Sequence, residues 1–363
     1  HLHGGRAVIE GVYSALSAQK GFRFAENGEF SKRAVINGRI DLTEAEGIND
    51  LINAETEAQR DQGLNQLEGA LRLQLEKWSN DLKGFGAHIE AYIDFPDEQI
   101  PENVLSDLLQ GVEETNRELK EFVDDDRKGE ILRSGLKVAV IGPPNVGKSS
   151  FVNWLTKRDI AITSEKAGTT RDIVEAHLDL GGYPVTVADT AGMRESEDTI
   201  EQEGIRRARS WSESADLRVL ILDPETAEDA NAFSDLLKSG DPVLMNKADR
   251  ITIVKKKMSA AYSLVSVKTG YGLESILSEL TTIAKRKMGT QKPTTITQAR
   301  HRALLNDCLT ALREADFGLR NHADLELIAE DFRSAIYCIG RITGHIDVED
   351  LLDVVFKEFC IGK

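Results

Sequence analysis

The chain has 363 residues, 40 % of them hydrophobic and 29 % charged, with a formal net charge of −16. That length points to two or three domains, and the acidic balance excludes non-specific coating of nucleic acid, which needs clustered Lys and Arg. Cys308, Cys338 and Cys360 are widely spaced, form no CxxC and suit a reducing compartment, and no apolar run is long enough to span a membrane.

In residues 1–41, RAVIEGVYSAL reads as helical, and Gly21, Gly28 and Gly38 punctuate loops. His1 and His3 alternate as on a strand with no third ligand nearby, so no metal is expected there. At DLTEAEG the texture becomes helical, and Thr43 followed by Glu46 has capping-box spacing. Leu64, Leu67, Leu71, Leu75, Trp78, Leu82, Phe85, Ile89 and Tyr92 recur at threes and fours, which predicts one long amphipathic helix. FPDEQIP breaks it, and a second amphipathic helix is expected over 102–125.

From Leu136 the period changes. LKVAVIG reads as a buried strand entering a Gly-rich loop, and strand-like and helix-like runs then alternate, among them PVTVADT, LRVLILD and PVLMNK. This predicts an α/β domain over 135–288, a parallel-type sheet flanked by helices. After QKPTTITQ the chain is helical again. Leu304, Leu305, Cys308, Leu309 and Leu312 share one face, and Leu351, Leu352, Val355, Phe356 and Phe359 mark a last helix. Each helical flank alone is short of core. The expected arrangement is therefore an α/β domain inserted between two halves, 42–130 and 291–363, of one all-α domain, with three separate domains as the alternative.

The chemistry concentrates in the α/β segment. GPPNVGKS, Gly142 to Ser149, fits GxxxxGK[ST] and follows the predicted strand directly. Amides along Asn145, Val146, Gly147, Lys148, Ser149 and Ser150 would cradle phosphates, helped by the positive end of the next helix. Lys148 would neutralise the β- and γ-phosphates, and Ser149 would ligate Mg2+. NKAD follows about a hundred residues later, with Asn246, Lys247 and Asp249 after an apolar strand. A carboxylate such as Asp249 can accept from both N1–H and the 2-amino group of guanine; adenine offers neither donor, so the order of motifs points to GTP. Ser266, Val267 and Lys268 stand where such domains usually carry Ser-Ala-Lys behind the base.

The stretch Ser164, Glu165, Lys166, Ala167, Gly168, Thr169 and Thr170 leads into AGTTRD, where Thr170 would be a second Mg2+ ligand. DTAG supplies Asp189 for an indirect metal contact, then Thr190, Ala191 and Gly192, the last offering an amide to the γ-phosphate. Met193 stands where many such domains carry the Gln that orients the attacking water, and a thioether cannot do that. Arg194, Glu195, Glu197, Asp198 and Glu201 are the polar candidates nearby, and charge alone does not choose among them.

GPPNVGKSS, AGTTRD, DTAGMRESEDTIEQEGIRRA, NKAD and the terminal FCIGK together resemble the MnmE family, also called TrmE, of tRNA-modification GTPases. The resemblance spans nearly the whole chain. The phosphate-loop and NKxD motifs are shared by many GTPases; the insertion and the terminal CIGK are more specific. EFSKRAVINGRIDLTEAEGINDLINAETE is similar to the family's junction of folate-binding and helical domains, so residues 1–41 would be the remnant of a folate-binding domain lying mostly upstream of His1.

The resemblance implies that Glu201 orients the water, beside Lys148 at the phosphates. It implies K+ held by Asn145 and, mostly through backbone oxygens, by a loop over Ser164, Lys166 and Thr169, with the Lys166 charge pointing away, where other GTPases receive an arginine finger, and a homodimer whose GTPase domains close across that ion. It also implies modification at carbon 5 of the wobble uridine of certain tRNAs, in a heterotetramer with the flavoprotein MnmG. A tetrahydrofolate derivative, 5-formyl- or 5,10-methylene-tetrahydrofolate, would donate the one-carbon unit. Its contacts in this chain would be Arg39, where the family tends to have Lys, and Lys363. Cys360 is a candidate functional thiol, and a small buried apolar residue is an equal reading. The implied location is cytoplasmic, or mitochondrial in a eukaryote. A ribosome-assembly GTPase acting as an RNA-binding switch is the alternative, disfavoured because no basic module follows the α/β segment. A membrane-remodelling GTPase should carry a basic, apolar-tipped lipid loop, and none is seen.

Overall fold

The computed structural model describes residues 1–95, 102–158, 160–162, 175–189, 211–225, 233, 235–250, 262–289, 293–346, 352, 355–357 and 359. The chain divides into two compact units. One comprises His1–Asn49, Gln66–Glu113 and Asp307–Lys363, the other Asp50–Asn65 and Glu114–Asn306.

The first unit is helical. It holds α1 (Arg6–Ser17), α2 (Glu29–Ile36) and most of α3 (Leu42–Ile52). Asp41 caps α3: its carboxylate accepts the Glu44 amide at 2.7 Å and the Thr43 hydroxyl at 2.8 Å, while its own amide donates to Glu44 Oε2 at 2.7 Å. The capping box thus sits at Asp41 and Glu44, two residues before the expected Thr43 and Glu46, because Asp is the stronger cap at the same spacing.

The stripe predicted as one long helix belongs to two, α4 (Glu57–Leu67) and α5 (Ala70–Asp94). Gly69 lies between them with φ +83°, a left-handed turn that halts a helix and that L side chains rarely adopt. Leu71, Leu75, Trp78, Leu82 and Ile89 of α5 are buried, whereas Leu64 of α4 is 37 % exposed. Residues 102–113 of α6 (Glu102–Val123), residues 307–320 of α10 (Ala299–Arg320) and α11 (Leu325–Thr343) supply the rest of this unit's helices, and α5 packs along α11 with Phe85 and Phe332 rings 5.9 Å apart. Leu305, Cys308, Leu309 and Leu312 are buried on α10, and Leu352, Phe356 and Phe359 pack on Leu42 and Ala45.

The second unit is built on a sheet. Its elements are α7 (Lys128–Ser134), β1 (Leu136–Ile141), α8 (Lys148–Thr156), β2 (Glu175–Leu180), β3 (Tyr183–Asp189), β4 (Leu217–Leu222), β5 (Val243–Met245), β6 (Ser263–Leu264) and α9 (Leu273–Met288). The strand order is β2-β3-β1-β4-β5-β6. All pairs are parallel except β2 with β3, which a two-residue Gly181-Gly182 turn joins as a hairpin with Leu180 opposite Tyr183. The sheet is therefore mixed, not wholly parallel, since so short a connection can join only antiparallel strands. Val140 of β1 lies level with Asp189 of β3 and Val219 of β4, so the C-terminal ends of these strands share one edge. In an open α/β sheet that edge is where ligands bind.

Helical segments are fastened to α7 and the turn before it, which lead into β1. Gln62 Nε2 donates to the Gly129 carbonyl at 3.1 Å, Gln59 Nε2 to the Arg133 carbonyl at 3.0 Å, and Arg133 pairs with Asp50 at 2.7 Å. Arg302 pairs with Glu130 and Asp125, each at 2.6 Å. Residues 50–65, 114–134 and 293–306, helical in their sequence texture, accordingly group with the sheet. Among the described residues no helix is long and apolar enough to cross a membrane.

Candidate nucleotide-binding site

β1 carries apolar side chains into the core and ends at Ile141, where the chain must turn sharply to start α8. Gly142 makes that turn with φ +144°, and a Cβ there would lie 2.1 Å from the Ile221 carbonyl oxygen. Gly147 closes the loop with φ +104°, and its Cβ would lie 2.4 Å from Asn246 Nδ2. Between them Asn145, exposed, has φ +61°. Alternation of left- and right-handed residues turns successive amides toward one concavity.

Lys148 opens α8, is only 7 % exposed, and donates from Nζ to the carbonyls of Gly142 at 2.8 Å and Pro143 at 2.7 Å. Ser149 and Ser150 are exposed on the first turn of α8, where unpaired amides and the helix dipole favour an anion. A cradle that a Cβ would fill, with an ammonium and a hydroxyl at its helix end, fits nucleotide phosphates with Mg2+.

Asn246, buried at the end of β5, ties this loop to two others. Its Nδ2 donates to the Val146 carbonyl at 2.7 Å, and its Oδ1 accepts the Val267 amide at 3.1 Å. Asp249 stands exposed in a single 3-10 turn, Ala248–Arg250, and its Oδ1 accepts the hydroxyl of fully buried Ser266 at 2.7 Å. That hydrogen bond, with smaller help from the residue's own backbone amide and then from Lys268 and Arg250, holds the Asp249 carboxyl below its usual range against a smaller opposing effect of burial. An ionised carboxylate is an acceptor only, which suits a base edge with two adjacent donors. The structure thus brings Asn145 through Ser150, Asn246, Asp249 and Ser266 through Lys268 to the same edge of the sheet.

Lys247 has φ +60° and pairs through Nζ with Asp223, a buried carboxylate just past β4. No motif flagged Asp223; the only sequence signal is an acid ending the apolar run LRVLILD.

Asp189 is the last residue of β3, as its DTAG position requires. Ser164, Glu165, Lys166, Ala167, Gly168, Thr169, Thr170, Thr190, Ala191, Gly192, Glu201, Cys360 and Lys363 lie outside the described residues. Arg39 is exposed just past α2. Of the other thiols, Cys308 is pushed up to about 12 by burial and by nearby Cys338, and burial also raises Cys338, so neither is an activated nucleophile.

Residues 42–360 match the MnmE helical domain, and residues 1–39 match the GTP-binding protein TrmE N-terminus. The tRNA modification GTPase MnmE of Parvibaculum lavamentivorans is 47 % identical over 363 residues, covering 100 % of this chain and 82 % of that protein. The chain belongs to the MnmE family. MnmE proteins of Rickettsia bellii and Rhodospirillum rubrum are each 47 % identical over all of this chain, which covers 82 % and 80 % of them. Among solved structures, the G domain of the T. maritima FeoB iron transporter aligns with 41 % of this chain and 98 % of its own, at 23 % identity and TM-score 0.32.

Proposed function

We propose that this chain is a GTP hydrolase serving tRNA modification. The observation that carries the reading is Asn246, which joins the phosphate loop to the base-reading loop in a chain of the MnmE family. Lys148 meets the β- and γ-phosphates, and Asp249 accepts from N1–H and the 2-amino group of guanine. Val267 and Lys268 lie behind the base, and Gly192 offers its amide to the γ-phosphate. Glu201 orients the attacking water, a task Met193 cannot perform. Mg2+ on Ser149 and Thr170, and K+ on Asn145 and on the loop of Ser164, Lys166 and Thr169, mostly through backbone oxygens with the Lys166 charge turned away, would add positive charge beside the phosphates as negative charge gathers there.

We further infer that two GTPase domains close on each other as a homodimer. Hydrolysis then drives modification at carbon 5 of the wobble uridine, with MnmG and a tetrahydrofolate one-carbon donor that Arg39 and Lys363 help to bind. The α/β domain is read as an insertion in one helical domain. With a net charge of −16, the chain leaves most of the tRNA backbone to its partner. The test is hydrolysis of GTP and ATP in KCl and in NaCl at equal ionic strength. Fast turnover of GTP alone, and in KCl alone, is expected. Equal rates in the two salts would overturn the role of K+, and no GTP turnover in either would overturn the hydrolase reading.

A further inference from the structure

We propose, resting on the GTPase reading above, that Asp223 is a positioning residue for guanine-nucleotide binding and acts through Lys247. Asp223 follows the last residue of β4, and its side chain is 3 % exposed. A carboxylate so buried is costly unless it is paired. Oδ2 pairs with Lys247 Nζ, and Oδ1 accepts the Glu225 amide at 3.1 Å.

Lys247 stands between the two residues that define the base site. Asn246 holds the phosphate loop, and Asp249 presents its carboxylate two residues further on. The backbone of Lys247 has φ +60°, a left-handed conformation that costs a residue with a Cβ free energy and persists only when its surroundings enforce it. The Asp223 pair supplies that enforcement from the side chain, while Asn246 supplies it from the neighbouring residue. Ile221, two residues before Asp223, backs Gly142 of the phosphate loop. One strand end therefore braces both halves of the site: its carbonyl stops the phosphate loop and its carboxylate fastens the base loop. A buried ion pair is close to neutral for stability against apolar replacements, so its contribution here is geometric. It keeps the base loop in the binding-competent shape before nucleotide arrives, and a loop not held in that shape lowers apparent affinity in proportion to its population.

The test is titration of GDP and GTP, with steady-state GTP hydrolysis, for the wild type, Asp223→Asn, Asp223→Glu, Lys247→Gln and the double variant Asp223→Asn/Lys247→Gln. Asp223→Asn is expected to weaken GDP and GTP alike by about tenfold, with the loss falling on KM and not on kcat. Asp223→Glu keeps the charge and loses less. The double variant loses no more than Lys247→Gln alone, because Asp223 acts through that lysine. Wild-type affinity in Asp223→Asn, equal losses in the Asn and Glu variants, additive losses in the double variant, or a loss confined to kcat would each overturn the assignment. A wild-type chain that binds no guanine nucleotide would instead overturn the GTPase reading itself, so the two failures are distinguishable.

Discussion

Gly147→Ala places one methyl group where the structure has no room for it. The backbone there has φ +104°, which costs a residue with a Cβ about 1–3 kcal/mol. The new Cβ would lie 2.4 Å from Asn246 Nδ2. Asn246 cannot yield freely, because the Val146 carbonyl and the Val267 amide pin both ends of its side-chain amide. Moving it breaks at least one buried hydrogen bond, about 0.5–1.5 kcal/mol net. The relaxed alternative is a phosphate loop displaced from its cradle, favoured by about 1.5–4.5 kcal/mol in sum. Nucleotide must restore the cradle, so calorimetry should show GDP weakened by about tenfold or more, at 1.4 kcal/mol per tenfold. Gly182→Ala is the control. Gly182 has φ +89° but nothing within 4 Å of a Cβ, so it should lower thermal stability and leave GDP affinity intact. Gly147→Ala binding GDP within about threefold of wild type would refute the steric reasoning.

The Asp249 carboxyl sits below its usual range chiefly because Ser266 donates to it, so its contribution as an ionised acceptor is present at neutral pH and is lost as pH falls through that lowered value. Ser266→Ala should raise it toward an ordinary carboxyl, and GDP affinity measured against pH should then fail at higher pH than in wild type; superimposable profiles would contradict this. Arg302→Met should destabilise the sheet unit by about 3 kcal/mol in urea unfolding, because Glu130, 7 % exposed, then keeps Arg127 alone among its ion-pair partners in the described residues; a loss under about 1 kcal/mol would mean the pairing is inert. Glu201→Ala should lower GTP hydrolysis about 10²-fold with nucleotide affinity kept. In full-length protein it should also abolish wobble-uridine modification when MnmG, tRNA, folate and flavin are supplied, and full product would mean that GTP acts only as a structural ligand.

What the sequence revealed follows from how tightly each feature binds residue type to geometry. The phosphate loop was legible because only glycine fits against Ile221 and Asn246 at its two ends, and β1 because six apolar-rich residues run straight into it. The break at Gly69 was hidden because apolar spacing continues through it, and a period measures which face is buried, not whether the axis is continuous. The cap of α3 was misplaced because Asp41 to Glu44 and Thr43 to Glu46 have identical spacing, and only the hydrogen bonds distinguish them. The hairpin that makes the sheet mixed was signalled by Gly181-Gly182 but outweighed by the general strand–helix alternation. Asp223 could not be found from a motif, because its partner is 24 residues away and their meeting depends on β4 and β5 being neighbours.

Base selection by a single carboxylate is the most exposed point of the account, and hydrolysis of GTP and XTP by the wild type and by Asp249→Asn measures it. The wild type is predicted to prefer GTP, because the Asp249 carboxylate would accept from both N1–H and the 2-amino group. Asp249→Asn is predicted to reverse the preference, because its amide can donate to the 2-oxo group of xanthine. Retention of the wild-type preference for GTP in Asp249→Asn would contradict the assignment of this loop as the guanine site.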